Sequence, residues 1–269
     1  MSMLPAFRVL GSGPTVLFLH GIGGGNMAFA PQIESFAVQG WRAVSWDMPG
    51  YGASAPIEPY TFKGLAESCL TLIDALRGPV ILVGHSMGGM VAQEVVARRP
   101  QAVRALVLSG TSPAFGKPDG QWQDAFLRER TAPLDAGRSM AELAAELVPK
   151  MIGIGPDPDG VELALDVMGS VPPATYRAAL AALLTFDRRR NLAQIAVPTL
   201  LLAGAEDRNA PPAVMKRMAE AVPGSEYLEL TGVGHLANLE APERFDGAVL
   251  NVLARRVLAM GPSLSDTVH

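Results

Sequence analysis

The sequence predicts an α/β fold, a mostly parallel central sheet flanked by helices and interrupted by an inserted helical segment. Three observations predict it. Short, uniformly apolar runs alternate with stretches of helical period. The alternation lapses between about Thr111 and Asn191, where every periodic stretch is helix-like. Residues suited to chemistry fall just after the carboxyl ends of the apolar runs, where open parallel sheets bind their ligands.

In chain order the apolar runs are TVLFLH (15–20), RAVSWD (42–47), PVILVGH (79–85), VRALVLSG (103–110), PTLLLAG (198–204) and SEYLEL (225–230). A strand apolar along its whole length, rather than alternating, belongs to a parallel sheet covered on both faces. Helix-like stretches cover 62–76, 87–98, 212–221 and 242–258. The strand-free interval holds four more, GQWQDAFLRER, SMAELAAELVPKMI, DGVELALDVMG and PPATYRAALAALLTF, punctuated by Pro and Gly. The simplest arrangement is a core built from 1–111 and 192–269, with 112–191 as a helical cap over the strand ends. Most of the apolar cap residues Trp122, Phe126, Met140, Met151, Met168 and Phe186 are expected to pack within the cap. Its arginines at 128, 130, 177, 188, 189 and 190 have the chemistry to pair with a substrate carboxylate. Acids are about as frequent there, so composition does not select that role.

The 269 residues fit one large domain or a core with an insertion, and 49% hydrophobic against 18% charged residues reads as folded. The net charge of −4 is mild. No basic patch is dense enough to neutralise many phosphates, so no nucleic-acid partner is expected. The one basic run, DRRRN (187–191), reads as a solvated helix end. A single cysteine, Cys69, forbids an intramolecular disulfide and sits in a helix-period stretch as a small core residue. The amino terminus lacks a signal-peptide pattern, and no apolar run approaches the roughly 18 residues of a membrane span. A soluble, cytoplasmic protein with no membrane partner is the expectation.

Gly84-x-Ser86-x-Gly88 stands between an apolar run and a helix-like stretch. In that setting the pattern is a nucleophile elbow, a sharp turn that lifts the serine hydroxyl clear of the sheet at a helix amino terminus. A serine needs a base, and the chain has four histidines. His269 is terminal and expected to be disordered. His85 should point away from Ser86 by strand alternation, and His20 suits a structural role in its HG turn. His235, in a glycine-flanked loop after the last run, is left as the general base. Asp207 follows the run 198–204 by a short turn and is favoured over Glu206 as the carboxylate that orients His235. The glycine-rich HGIGGG turn is positioned to supply an oxyanion donor, the N–H of Ile22, beside that of Met87 after the nucleophile. A phosphate loop is the rejected alternative, since neither G-x-G-x-x-G nor a P-loop lysine follows.

With HGIGGG, WDMPGYGAS (46–54), GHSMGGMVA, PTLLLAGAEDRNAPP and GVGHLANLEAPE in this order, the chain resembles the α/β-hydrolase fold superfamily from about Val16 to Leu253, apart from the variable cap. The resemblance is closest to enol-lactonase and carboxylesterase-like members with a helical cap. It implies a cofactor-independent serine hydrolase of a small-molecule ester or lactone, and a structural role for DMPGYGAS. Carbon–carbon hydrolases of ring-cleavage products are the alternative. They usually carry Asn before the nucleophile and Trp after the histidine, where this chain has His85 and Leu236. Dehalogenases and epoxide hydrolases attack with Asp where this chain has Ser86. A ligand receptor of the same fold, or histidine-based proton abstraction without acylation, are the other readings.

Overall fold

Seven strands form one sheet, in the order β1-β3-β2-β4-β5-β6-β7. They are β1 (Phe7–Leu10), β2 (Thr15–Leu19), β3 (Arg42–Trp46), β4 (Val80–His85), β5 (Val103–Ser109), β6 (Thr199–Gly204) and β7 (Glu226–Leu230). The computed structural model describes residues 3–116 and 120–258. All neighbouring pairs are parallel except β1 with β3, which is antiparallel. β2 to β6 coincide with the runs read from the sequence. β1 is the strand that reading lacks: only four residues long and mostly exposed, it carries no continuous apolar signature. β7 is the opposite edge strand and is largely exposed, with only Leu230 fully buried.

Because side chains alternate across a strand, each central strand feeds two cores. Val16, Phe18, Ile81, Val83, Val107 and Leu202 pack on one face against Phe29, Phe36, Phe245 and Val249. The last three belong to α1 (Ala30–Val38) and α10 (Pro242–Leu253), which continues as a π-helical turn at Ala254–Leu258. Leu17, Leu19, Leu82, Leu106 and Leu201 point to the other face. There they meet α2 (Phe62–Ala75), α3 (Met87–Arg98) and α8 (Pro212–Ala221). Each such leucine or phenylalanine is worth roughly 1.5–3 kcal/mol of burial. Cys69 is buried in this second core, and burial pushes its thiol pKa up.

Between β5 and β6 the chain inserts α4 (Gly120–Asp135), α5 (Met140–Leu147), α6 (Pro158–Gly169) and α7 (Pro173–Leu183). Local chemistry starts two of them. A Ser139–Glu142 capping box opens α5, and the Asp157 carboxylate accepts the Asp159 and Gly160 N–H groups at the start of α6. Arg188 anchors the end of the insert by pairing with Glu94 of α3 at 2.5 Å. No helix among the described residues is long and apolar enough to cross a membrane.

The chain runs from β2 to β3 on one side of β2, then returns to β4 on the other. The resulting switch point, at the carboxyl ends of β2 and β4, is where a crevice opens in such sheets. The HGIGGG turn and Ser86 lie there.

Candidate active site

Ser86 is the N-cap of α3, with φ 52° and ψ −119°, in the left-handed half of backbone space that a non-glycine residue adopts only under constraint. The constraint is visible. A Cβ on Gly84 would stand 2.6 Å from the Gly88 carbonyl oxygen and the Gly89 Cα, and one on Gly88 would collide with the Leu19 carbonyl. The two glycines let β2, β4 and α3 approach backbone to backbone, and the turn between them is forced. A serine at an N-cap ordinarily binds its own helix N–H groups. The Ser86 side chain makes no such bond.

Its Oγ lies 3.0 Å from His235 Nε2, and His235 Nδ1 lies 2.8 Å from Asp207 Oδ2. The structure thus brings together three residues spread over 149 positions of chain. Asp207 is 3% exposed, and its Oδ1 accepts the N–H groups of Asn209 and Ala210 at 2.8 and 2.9 Å. Burial alone would raise its pKa. The neighbouring His235 and these hydrogen bonds outweigh burial and hold the carboxyl below its ordinary range. Glu206, the competing acid, is exposed.

His20 is buried with both ring nitrogens engaged. Nδ1–H donates to the Gly21 carbonyl at 2.8 Å, and Nε2 accepts the Met48 N–H at 2.9 Å. Burial lowers its pKa to about 4, so the ring is neutral. The DMPGYGAS loop thus supports the glycine turn. Tyr51 donates to the Ile22 carbonyl at 2.9 Å, and the Asp47 carboxylate accepts the N–H and side-chain amide of Asn26 at 2.8 and 2.7 Å. The N–H groups of Ile22 and Met87 have no hydrogen-bond partner among the described residues, and both residues line the cavity at Ser86.

His85 departs from expectation. It makes no hydrogen bond to Ser86, but its ring packs on that of His235, with centroids 4.8 Å apart, and lines the cavity. Strand alternation stops applying at Ser86, where the backbone turns out of the β region. Burial, reinforced by the adjacent His235, lowers its pKa to about 3. His269 lies outside the described residues.

Glu240 is the residue that sequence reasoning missed. Its carboxylate accepts the N–H groups of Gly234 and Leu236, each at 2.8 Å, and of Gly153 at 2.6 Å. The first two flank His235 and the third belongs to the insert. His235 itself donates its N–H to the Met151 carbonyl at 2.6 Å. The histidine loop and the insert are therefore stitched together. The only sequence signal was an acid five residues after a candidate base, which a helix-capping role explains equally well.

The cavity above Ser86 measures about 310 Å³. The strand-end loops form one wall and the inserted helices the other. Of the six apolar insert residues named above, Phe126, Met151 and Met168 line it, whereas Trp122, Met140 and Phe186 do not. Half of them therefore face the cavity, more than expected, and Phe186 packs on Phe62 of the core helix α2, with ring centroids 4.6 Å apart. Among the described residues no group of three His, Cys, Asp or Glu side chains is placed to hold a metal.

A family model described as alpha/beta hydrolase fold matches residues 14–242. A thermophilic esterase from Thermogutta terrifontis superposes with a TM-score of 0.84 at 26% identity, covering 93% of each chain. The enol-lactonase from Burkholderia xenovorans LB400 superposes at 0.81 with 25% identity, covering 93% of this chain and 96% of that one. A bromoperoxidase from Bacillus anthracis superposes at 0.83 over 92% of this chain and 94% of its own, but at 22% identity the likeness is one of fold alone.

Proposed function

The chain belongs to the α/β-hydrolase family, and from that premise we propose that it is a serine hydrolase cleaving an ester or lactone of a small molecule through an acyl-enzyme on Ser86. The observation that carries this reading is the continuous Ser86–His235–Asp207 hydrogen-bond chain at a strained elbow. The esterase and enol-lactonase likenesses agree with it.

Ser86 Oγ attacks the acyl carbon while His235 Nε2 takes its proton. Asp207 holds the proton on Nδ1, so that Nε2 is the free base, and stabilises the imidazolium once it forms. The unclaimed N–H groups of Ile22 and Met87 receive the oxyanion. One such donor is typically worth about 3–4 kcal/mol of transition-state stabilisation. His235 returns the proton to the leaving oxygen, then activates water to release the acyl group from Ser86. Every group in the scheme is protein, substrate or water. The segment 112–191 acts as a cap, closing the cavity and setting substrate choice.

The test is release of p-nitrophenol from p-nitrophenyl butyrate by wild type and Ser86→Ala. Turnover by the wild type that is lost in the variant is the expected result. A variant as active as the wild type would sink the acyl-enzyme.

A further inference from the structure

The cavity over Ser86 carries a charge opposite to that of the chain. The protein has a formal charge of −4, yet among the described residues the cavity wall holds Arg130 and Arg208 and not one Asp or Glu. Seven arginines of the insert have the chemistry to bind an anion, and the structure separates them, Arg138 being paired with Glu146 at 2.8 Å. Arg177 pairs with Asp135 at 2.6 Å, Arg188 with Glu94 at 2.5 Å, and Arg189 with Asp187. Arg128 and Arg190 are exposed and lie off the cavity. Arg130 alone faces into it, and among the described residues no carboxylate lies within ion-pair distance of it.

The Arg130 guanidinium stands over the ring of Phe126, 5.6 Å from its centroid. Phe126 is itself braced, stacked on Trp122 at 5.4 Å and edge-on to Phe115 at 5.2 Å. The aromatic face fixes the fork before anything binds, so less side-chain entropy is lost on binding. The same cavity has aliphatic wall from Leu147, Leu180 and Leu183. A guanidinium with no acid partner, in a cavity of lowered dielectric, is a standing bias toward an anion, and its fork matches a carboxylate.

We propose that the substrate is an ester or lactone carrying a carboxylate at a second position, gripped by Arg130 while the apolar chain between lies along the aliphatic wall and the acyl carbon meets Ser86. The proposal rests on the acyl-transfer reading above. Water replaces the alkoxy group at the acyl carbon, the alcohol leaves with the proton that His235 held, and the acid formed ionises. A monoanionic ester thus becomes a dicarboxylate and an alcohol. Arg208, beside Asp207, adds to the field that draws the anion in.

The experiment compares monoethyl esters of the straight dicarboxylic acids from succinate to suberate with neutral ethyl esters of equal length. Calorimetric binding to Ser86→Ala is measured first, since it needs no turnover. At least one hemiester is expected to bind tenfold or more tightly than its neutral counterpart, an advantage that shrinks with added salt. Arg130→Gln in the same background is expected to erase the preference and Arg130→Lys to keep part of it. Arg128→Gln, on the exposed face of the same helix, is expected to leave it intact. In enzymes with Ser86 present, Arg130→Gln is expected to lower kcat/KM for the hemiester at least tenfold more than for the neutral ester. Equal binding at every chain length, or a preference that survives Arg130→Gln, overturns the proposal. Wild type inert on both hemiesters and p-nitrophenyl butyrate overturns the acyl-transfer reading instead, a result the binding measurement distinguishes.

Discussion

Glu240 carries three backbone N–H groups on one carboxylate, two of them on either side of the His235 backbone. An amide in its place keeps one accepting oxygen and turns an NH₂ toward a donor. Glu240→Gln is therefore expected to leave a buried N–H unpaired, at a cost of about 1–3 kcal/mol in urea unfolding. Because the displaced loop bears the base, kcat should fall at least tenfold with KM little changed. An unaltered kcat would mean that His235 is held without it. Asp207→Asn tests a different link. The amide can still accept from Asn209 and Ala210, but it donates to His235 Nδ1 and selects the wrong tautomer. Stability should change little while kcat falls by a factor on the order of 10⁴. A loss below tenfold would remove Asp207 from the reaction.

At the scale of elements, the elbow depends on backbone contact between β2 and α3. A methyl group at Gly88 meets the carbonyls of Leu19 and His20, which no rotamer change relieves. Gly88→Ala is expected to cost toward the upper end of the 1–3 kcal/mol typical of overpacking, and to abolish turnover by shifting the Ile22 turn. Thermal unfolding and a p-nitrophenyl butyrate assay measure the two effects, and a fully active variant would mean that the turn tolerates displacement. The start of α5 is a milder case. Ser139→Ala removes an exposed capping box remote from the triad, so about 1 kcal/mol of stability should be lost with kcat unchanged. Among the contacts that bind the insert to the core, two are of opposite chemistry. One is the Arg188–Glu94 ion pair and the other the backbone bonds around Met151 and Gly153. The bonds around Met151 and Gly153 couple the placement of the insert to that of His235.

For the whole molecule, two buried neutral imidazoles contribute to the response to acid. Burial lowers His20 to about 4 and His85 to about 3, against 6.5 for an exposed histidine. Between those values the unfolded chain binds protons that the folded chain refuses, so stability rises with pH through the window. It is full above about 6.5 and is lost progressively as pH falls toward 4 and then 3. A drop from 6.5 to about 4 corresponds to roughly 3 kcal/mol at one group. Urea unfolding between pH 7 and 4 should show this decline, with a shallower slope in His20→Gln. Parallel slopes in the two proteins would contradict the assignment of a neutral His20.

The sequence by itself determined the parallel sheet and the position of the insert, because strands apolar along their whole length have no other place to be. It also singled out Ser86, Asp207 and His235, since the end of a strand is where a parallel sheet exposes side chains to a ligand. What escaped it depended on contacts between distant parts of the chain. β1 is a short exposed edge strand that exists through its pairing with β3. His85 reaches the site because the elbow ends the strand alternation on which its orientation was judged. The choice among the arginines of the insert, and the role of Glu240, depend on tertiary pairings, which span 87 or more residues of chain for Glu240–Gly153 and Arg188–Glu94. Periodicity reports which face a residue occupies along its own element. Which partner it meets there is set by how the elements pack, and that only the tertiary structure decided.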